Sequence, residues 1–244
     1  MRPLSHVPQN FRPHAERLRT TGVPCVIRAT LGTPYVPAEP DGAVHLDSLL
    51  AWAFVATRPY PIRFEGRPAS VVPIPPLAVL WVSPEGLPLF AASDLYPQGA
   101  TLRGREYWHR RYPVDRAELG TRLRASLTAG RWKEYRIPLS TIRAPVLQGL
   151  ALGDPDGLRD LLQSVSHVGK KGAMGFGRVL EWAVEPRADA PEVVVRTILD
   201  RRRVPVAYWV EQDASWSVAR AARSAWTPPY WYEPWSELVT VPEA

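Results

Sequence analysis

Two of the three lysines in this 244-residue chain stand side by side in Gly169-Lys170-Lys171-Gly172-Ala173-Met174-Gly175-Phe176-Gly177, and Arg178 follows directly. Glycines accept positive φ and let main-chain N–H groups approach a ligand, while lysines bring charge to phosphate oxygens, so the stretch suits an anionic polymer. A tight helix-to-strand turn, with Gly169 as the helix C-cap and the lysines in solvent, uses the same residues. The surroundings have to separate the two readings.

A second stretch carries related chemistry. From 100 to 143 there are eleven basic and four acidic side chains, a balance of +7 against +6 for the whole chain, so the positive charge is a patch. Inside it Arg103, Arg105, Arg110 and Arg111 are interleaved with Tyr107, Trp108, His109 and Tyr112. Arginine forks bind phosphates and stack on bases, and aromatic rings stack on any exposed base, which is the composition of a single-strand binder. The plain alternative is a solvated hairpin or helix whose rings face inward. Arginine richness can also reflect coding bias, since only three of the 30 basic residues are lysines.

Other chemistries find less support. The spacing of His and carboxylates offers no metal-ligand set, there is no Ser or Cys nucleophile motif, and no cofactor is expected. The single cysteine, Cys25, lies in an apolar run and cannot form an intrachain disulfide, which agrees with a reducing compartment. Apolar stretches such as 49–56 are far shorter than the roughly 20 residues of a membrane span. A cytoplasmic protein without a membrane partner is expected.

The elements that would hold these stretches can be read from periodicity. Residues 1–22 have no clear period and read as an arm. Val23 to Leu31 reads as a strand, and Leu46 to Ala56 as a nearly fully buried helix. Leu77 to Ser83 and Leu87 to Ala92 flank Pro84-Glu85-Gly86 and read as a hairpin. The basic stretch, about 100–136, is an excursion, after which Ile137 to Val146 returns to strand composition. Asp156 to Val165 has Leu158, Leu161, Leu162 and Val165 at helical spacing, and residues 178–185 alternate like a strand. Helix, glycine turn, strand is the reverse of the strand-then-helix order of a P-loop or a dinucleotide fingerprint. Strand, helix, hairpin, helix, strand gives an α+β fold of ferredoxin-like (RRM-like) βαββαβ type. Residues 186–244 read as a smaller β-rich unit, with strands at 193–199 and 206–210, a basic turn Asp200-Arg201-Arg202-Arg203, and a tail bearing Trp216, Trp226, Tyr230, Trp231, Tyr232 and Trp235. Packing is the expected role of that tail.

Taken together, His167 to Val179 resembles the G-loop of the RAMP proteins of CRISPR–Cas systems, and Val44 to Ala53 and Glu106 to Arg111 are similar to segments of a type IV RAMP subunit. The resemblance covers about 23–185. It implies a ferredoxin-like RAMP core with a basic thumb, acting as the handle-capping (Cas-five-like) subunit, which binds the 5′ handle of a guide RNA (crRNA) without catalysis. Partners would be the backbone RAMP subunit and the large subunit, with target DNA met indirectly. On this chain Gly169, Lys170, Lys171, Gly172, Gly175, Gly177 and Arg178 would line the handle channel. Arg103, Arg105, Tyr107, Trp108, His109, Arg110 and Arg111 would form the thumb. Ala173 or Met174 stands where relatives often have a further basic residue.

The rival reading is a metal-independent (Cas-six-like) endoribonuclease processing precursor crRNA. Its general base would be His109, with Tyr112, Tyr107 and Arg110 positioning an RNA 2′-OH and stabilising the phosphorane. His14 in the arm ranks second. His45 and His167 fall at helix ends, where they can cap or fill space. A third class is an interaction protein whose tail docks a partner.

Overall fold

The computed structural model describes residues 21–57, 72–110, 135–212, 221–228, 230 and 236–241. Its first strand is β1, Val23–Leu31, with the bounds that its β-branched composition predicts. Cys25, Ile27 and Ala29 alternate with Val26, and the two sets enter different apolar clusters on the two faces of one sheet. On one side β1 pairs with β8, Val146–Gly153, and on the other with β9, Val179–Pro186, both antiparallel. Beyond β8 comes β5, Asp94–Gln98, and then the short β2, Val44–His45, so the sheet runs β2-β5-β8-β1-β9.

Two helices cover the first face. Helix α1, Leu46–Thr57, follows β2, and helix α2, Pro155–Gln163, follows β8. Leu46, Leu50, Ala53 and Phe54 of α1 and Leu158, Leu161 and Leu162 of α2 join Cys25, Ile27, Leu147, Ala151 and Val184. Each fully buried leucine of this kind contributes roughly 1.5–3 kcal/mol. The expectation that α1 is nearly fully buried is corrected: Trp52 is 56% exposed, because an apolar stripe three or four residues apart leaves one face to solvent.

The elements alternate as expected, but two of the strands are not those expected. The hairpin of β3, Val79–Val82, and β4, Pro88–Phe90, forms and is a separate two-stranded sheet. Its place in the central sheet belongs to β5 and β8, which bracket the basic excursion. The expected strand 137–146 is divided instead between β8 and β7, Tyr135–Arg143, because Ala144 and Pro145 interrupt the run. β7 pairs along its full length with β6, Leu102–Arg110, in a two-stranded ribbon.

Among its described residues the C-terminal segment, expected to be β-rich, supplies two helices and three short strands. Residues 191–200 form helix α3, Pro191–Asp200, not a strand. Pro191 sits in its first turn, and Val194 and Ile198, four apart, point into the second cluster with Val26, Leu150, Leu152 and Trp226. Residues 206–210 are likewise helical, as α4, Val206–Glu211. The strands are β10, Val204–Pro205, β11, Ala221–Ser224, and β12, Glu237–Thr240, in the order β10-β12-β11. The tail residues Trp216, Trp231, Tyr232 and Trp235 lie outside the described residues, whereas Trp226 is fully buried.

A buried polar network ties this segment to the core. Arg202 is buried and donates to Asp47 Oδ2 (3.1 Å) and to the carbonyls of Ala92 (2.9 Å), Trp226 (2.8 Å) and Phe90. Tyr230 donates to the Asp47 carboxylate (2.9 Å) and stacks on His45 with ring centroids 4.0 Å apart. His45 Nδ1 meets Asp94 Oδ1 at 2.8 Å, and its Nε2 lies 3.4 Å from Glu39 Oε1, too poorly aligned for a hydrogen bond but close enough for an ion pair. Arg203 pairs with the other Glu39 oxygen. Contact with His45 and Arg203 outweighs burial and holds the Glu39 carboxyl down at about 2. Burial pushes the Asp47 carboxyl up, against the pull of Arg202 and His45.

For His45, burial by itself would lower the pKa, but Asp94, Glu39 and Asp47 outweigh it and raise the imidazole from 6.5 to about 9. The stability this supplies is complete below pH 6.5, the unfolded value, and disappears as pH rises through about 9. Thermal unfolding of the wild type and of His45→Gln, followed between about pH 6 and about pH 10, should show the wild type's advantage shrinking by roughly 1–3 kcal/mol. Two curves that stay parallel across that range would contradict the assignment.

Candidate nucleic-acid interface

Helix α2 ends at Gln163 with Ser164 as its C-cap, so Gly169 is not the cap residue that a plain helix-to-strand turn requires. The chain continues through the buried Val165 and Val168 and makes a loop whose neck is closed by backbone bonds. Val168 N–H donates to Gly177 O (2.8 Å), Val179 N–H donates to Ser166 O (2.9 Å), and His167 bridges Arg178. At the far end Gly172–Met174 make one 3₁₀ turn. Lys170, Lys171 and Arg178 are exposed.

The glycines are here for backbone reasons. Gly169 (φ 74°), Gly175 (φ 85°) and Gly177 (φ 68°) occupy the left-handed region, as does Lys171 at 66°, the one non-glycine residue with positive φ among those described. At Gly177 a Cβ would stand 2.0 Å from Val168 O, and at Gly169 it would stand 2.5 Å from Val36 O, so both positions need the missing side chain as well as the torsion. Lys171 holds its conformation at about 1–2 kcal/mol.

The loop is clamped by the segment 33–36, which leaves the end of β1. Gly177 N–H donates to Pro34 O (2.8 Å), Lys170 N–H to Val36 O (2.7 Å), Thr33 Oγ1 to Gly175 O (2.8 Å), and Arg178 N–H to Thr33 Oγ1 (2.9 Å). Next to Val36, Tyr35 exchanges two 2.9 Å bonds with Ile142 of β7. Its fully buried ring packs beneath Gly169 and Gly177, its hydroxyl donates to Gly42 O (2.7 Å), and burial raises its pKa to about 12. Backbone hydrogen bonds therefore run from β6 through β7 and residues 35–36 into the glycine loop. Nothing in the sequence singled out Thr33, Tyr35 or Val36. The one trace is the Gly32-Thr33-Pro34 punctuation that ends the first strand.

The two stretches picked out by composition meet in space. Lys171 Nζ lies 5.1 Å above the Trp108 ring centroid, a cation–π distance. Strand alternation then sorts the other candidates. Arg103, Arg105, Tyr107 and His109 are at odd positions of β6 and Trp108 is at an even one, so those four project from the opposite face of the ribbon. Arg103 donates to Pro40 O (3.0 Å), and the Arg136 guanidinium sits 3.8 Å over the Tyr107 ring. His109 has Tyr107 as a ring neighbour at 6.5 Å. Arg110 pairs through its backbone with Tyr135, while Arg111, Tyr112 and His14 lie outside the described residues. His167 meets Ser166 Oγ at 3.0 Å and lies against Gly172, and His45 belongs to the buried network. Among the described residues no group of His, Cys, Asp and Glu is arranged to hold a metal ion.

The family model described as CRISPR type IV associated protein Csf3 matches residues 121–242, half of the chain. The chain belongs to this family. No curated protein matches it. Csf3 membership implies a part in a type IV CRISPR effector complex alongside other Cas subunits. The matched span includes the glycine loop and β7, while α1 and β6 precede it. No described helix is long and apolar enough to cross a membrane.

The two kinds of glycine separate under substitution. Gly177→Ala should lower stability by at least about 2 kcal/mol, because strain and a clash with backbone combine. Gly175→Ala, with nothing within 4 Å of the new Cβ, should lose only about 1 kcal/mol for its torsion. Equal losses in chemical denaturation would refute the close approach at the loop's neck.

Proposed function

We propose that this protein is a non-catalytic crRNA-binding subunit of a type IV effector complex, holding the 5′ handle of the guide RNA at the end of the backbone filament. The observation that carries the reading is the Lys171–Trp108 contact, which brings the glycine loop and the basic ribbon to one surface. Unpaired handle bases stack on Trp108, as sequence-specific RNA recognition uses splayed, single-stranded nucleotides. Lys170, Lys171, Arg178 and the main-chain amides of the loop take phosphates. Arg103, Arg105, Arg110 and Arg111 add to the positive field around the strand.

The element order supports a ferredoxin-like RAMP core. The strands β1, β5, β8 and β9 with α1 and α2 run βαββαβ, all four antiparallel, with β1 and β8 in the middle. The basic ribbon leaves between β5 and β8, as a thumb would. In this reading the neighbours are the backbone RAMP subunit and the large subunit of the complex, target DNA is met through them, and the assembly works in the cytoplasm.

Lys170→Ala/Lys171→Ala should weaken retention of guide RNA while leaving the melting temperature nearly unchanged, since both side chains are exposed. For a single strand the slope of log K against log salt should fall by about 1.4, roughly 0.7 for each lost phosphate contact. Lys171→Gly should remove the ammonium yet fold at least as well, because glycine accepts the torsion at no steric cost. Unchanged RNA affinity across the salt titration in both variants would overturn the loop's role. Incubation with precursor RNA in EDTA should leave the RNA intact, and specific product ends that vanish in His109→Ala would make the protein a nuclease instead.

A further inference from the structure

The side of the ribbon opposite Trp108 has its own chemistry. The register pairs Arg103 with Ile142, Arg105 with Ser140, Tyr107 with Pro138 and His109 with Arg136, so these eight residues share one face. That face carries three arginines and no carboxylate, while Glu106 projects from the other side. Arg105, Arg136 and His109 are exposed, and Tyr107 is 42% exposed even with the Arg136 guanidinium 3.8 Å above it. The more uniformly cationic face of the ribbon is therefore not the one that meets the glycine loop.

We infer that this face is a second binding site, for single-stranded nucleic acid, distinct from the surface formed by Lys171 and Trp108. Same-face residues on a strand repeat at roughly 6.6 Å, a spacing that lets Arg103 and Arg105 reach successive phosphates of an extended strand. Tyr107 and His109 offer ring faces to unpaired bases, and the Arg136 guanidinium stacked on Tyr107 widens that platform. An acidic protein surface would use the arginines but gain little from two exposed rings. With one strand on the loop side and another on this side, the ribbon separates two paths. The inference rests on register and composition of β6 and β7 and does not require that the loop-side strand be a guide RNA.

The test counts strands. The full chain is mixed with oligo(dT) of about eight nucleotides, a length within the usual site size of a single fold, and strands per chain are counted by native mass spectrometry, with affinity read by fluorescence polarisation. Wild type should bind two strands, and Arg105→Glu/Arg136→Glu one, with the affinity of the lost site reduced at least about tenfold. Lys171→Glu/Trp108→Ala should retain the strand on the arginine face. Both arginines are exposed, so unchanged melting temperatures verify the fold of that variant. The inference is overturned if wild type binds fewer than two strands, if Arg105→Glu/Arg136→Glu still binds two, or if it loses both. It is also overturned if an oligoglutamate peptide of equal charge competes as well as oligo(dT), which would make the face an acidic-protein dock. If Lys171→Glu/Trp108→Ala still binds two strands, the loop-side reading fails while the arginine-face site stands.

Discussion

Two consecutive extended residues, Tyr35 and Val36, hold the candidate interface together. Neighbouring residues of an extended chain turn their N–H and C=O groups to opposite edges. Tyr35 uses one edge to bind Ile142 of β7, and Val36 uses the other to receive the Lys170 amide. A shift of one residue would reverse both partners, so the basic ribbon and the glycine loop would lose their common neighbour together. The buried Tyr35 side chain lies beneath this crossing, with its ring next to Gly169 and its Cβ next to Gly177, while Val36 O and Val168 O stand where a Cβ at those glycines would be. The loop's glycines are thus needed on two counts, for torsions at their own positions and for room beneath the loop.

A second constraint acts where helix α1, the β2–β5 edge of the sheet and the C-terminal segment meet. Arg202 and Asp47 are buried, and a buried ion pair gains little over a well-packed apolar one while becoming costly when one partner is lost. Here three cations, His45, Arg202 and Arg203, are set against three carboxylates, Asp47, Asp94 and Glu39, and carbonyls of Phe90, Ala92, Trp226 and Arg203 accept the remaining Arg202 guanidinium protons. Such a network contributes position more than net energy. It draws helix α1, the β3–β4 hairpin and the C-terminal segment to one point, so that α3 and Trp226 cover the sheet face that α1 and α2 do not.

Legibility in the sequence followed the range of each interaction. Val23–Leu31 was readable because β-branched composition and a Gly-Pro stop act locally. The turn between helix and strand was readable because four glycines in a nine-residue run mark a backbone that needs positive φ, whereas its chemistry was not, since an exposed turn uses the same lysines. β8 was not: Val146-Leu-Gln-Gly-Leu-Ala-Leu-Gly153 is buried on both faces, so it lacks the alternation that marks a half-buried strand. Helix α3 reads as a strand in the sequence because Val193, Val194, Val195 and Ile198 have strand propensity, and tertiary burial of Val194 and Ile198 overrides it. Arg202 could not be found at all from sequence, because in Asp200-Arg201-Arg202-Arg203 every residue has the composition of a solvated turn. Apart from the neighbouring Arg203 carbonyl, its partners lie between 24 and 155 residues away.

The same limit explains why the basic stretch reads as one site. Composition counts charges along the chain and ignores the period of two that decides where they point. Arg103, Arg105, Tyr107 and His109 looked like parts of one finger with Trp108, yet a strand sends them to different sides. A helix of the same sequence would have spread them around its axis and left no such division. The strand state is held by the β6–β7 ladder, anchored at its base by the bonds of Tyr35 to Ile142 and reinforced by cross-strand contacts such as Arg136 on Tyr107. The two-sided character of the ribbon is therefore a consequence of its ladder, and the separation of its charged face from its Trp108 face comes from pairing register, not from the residues present.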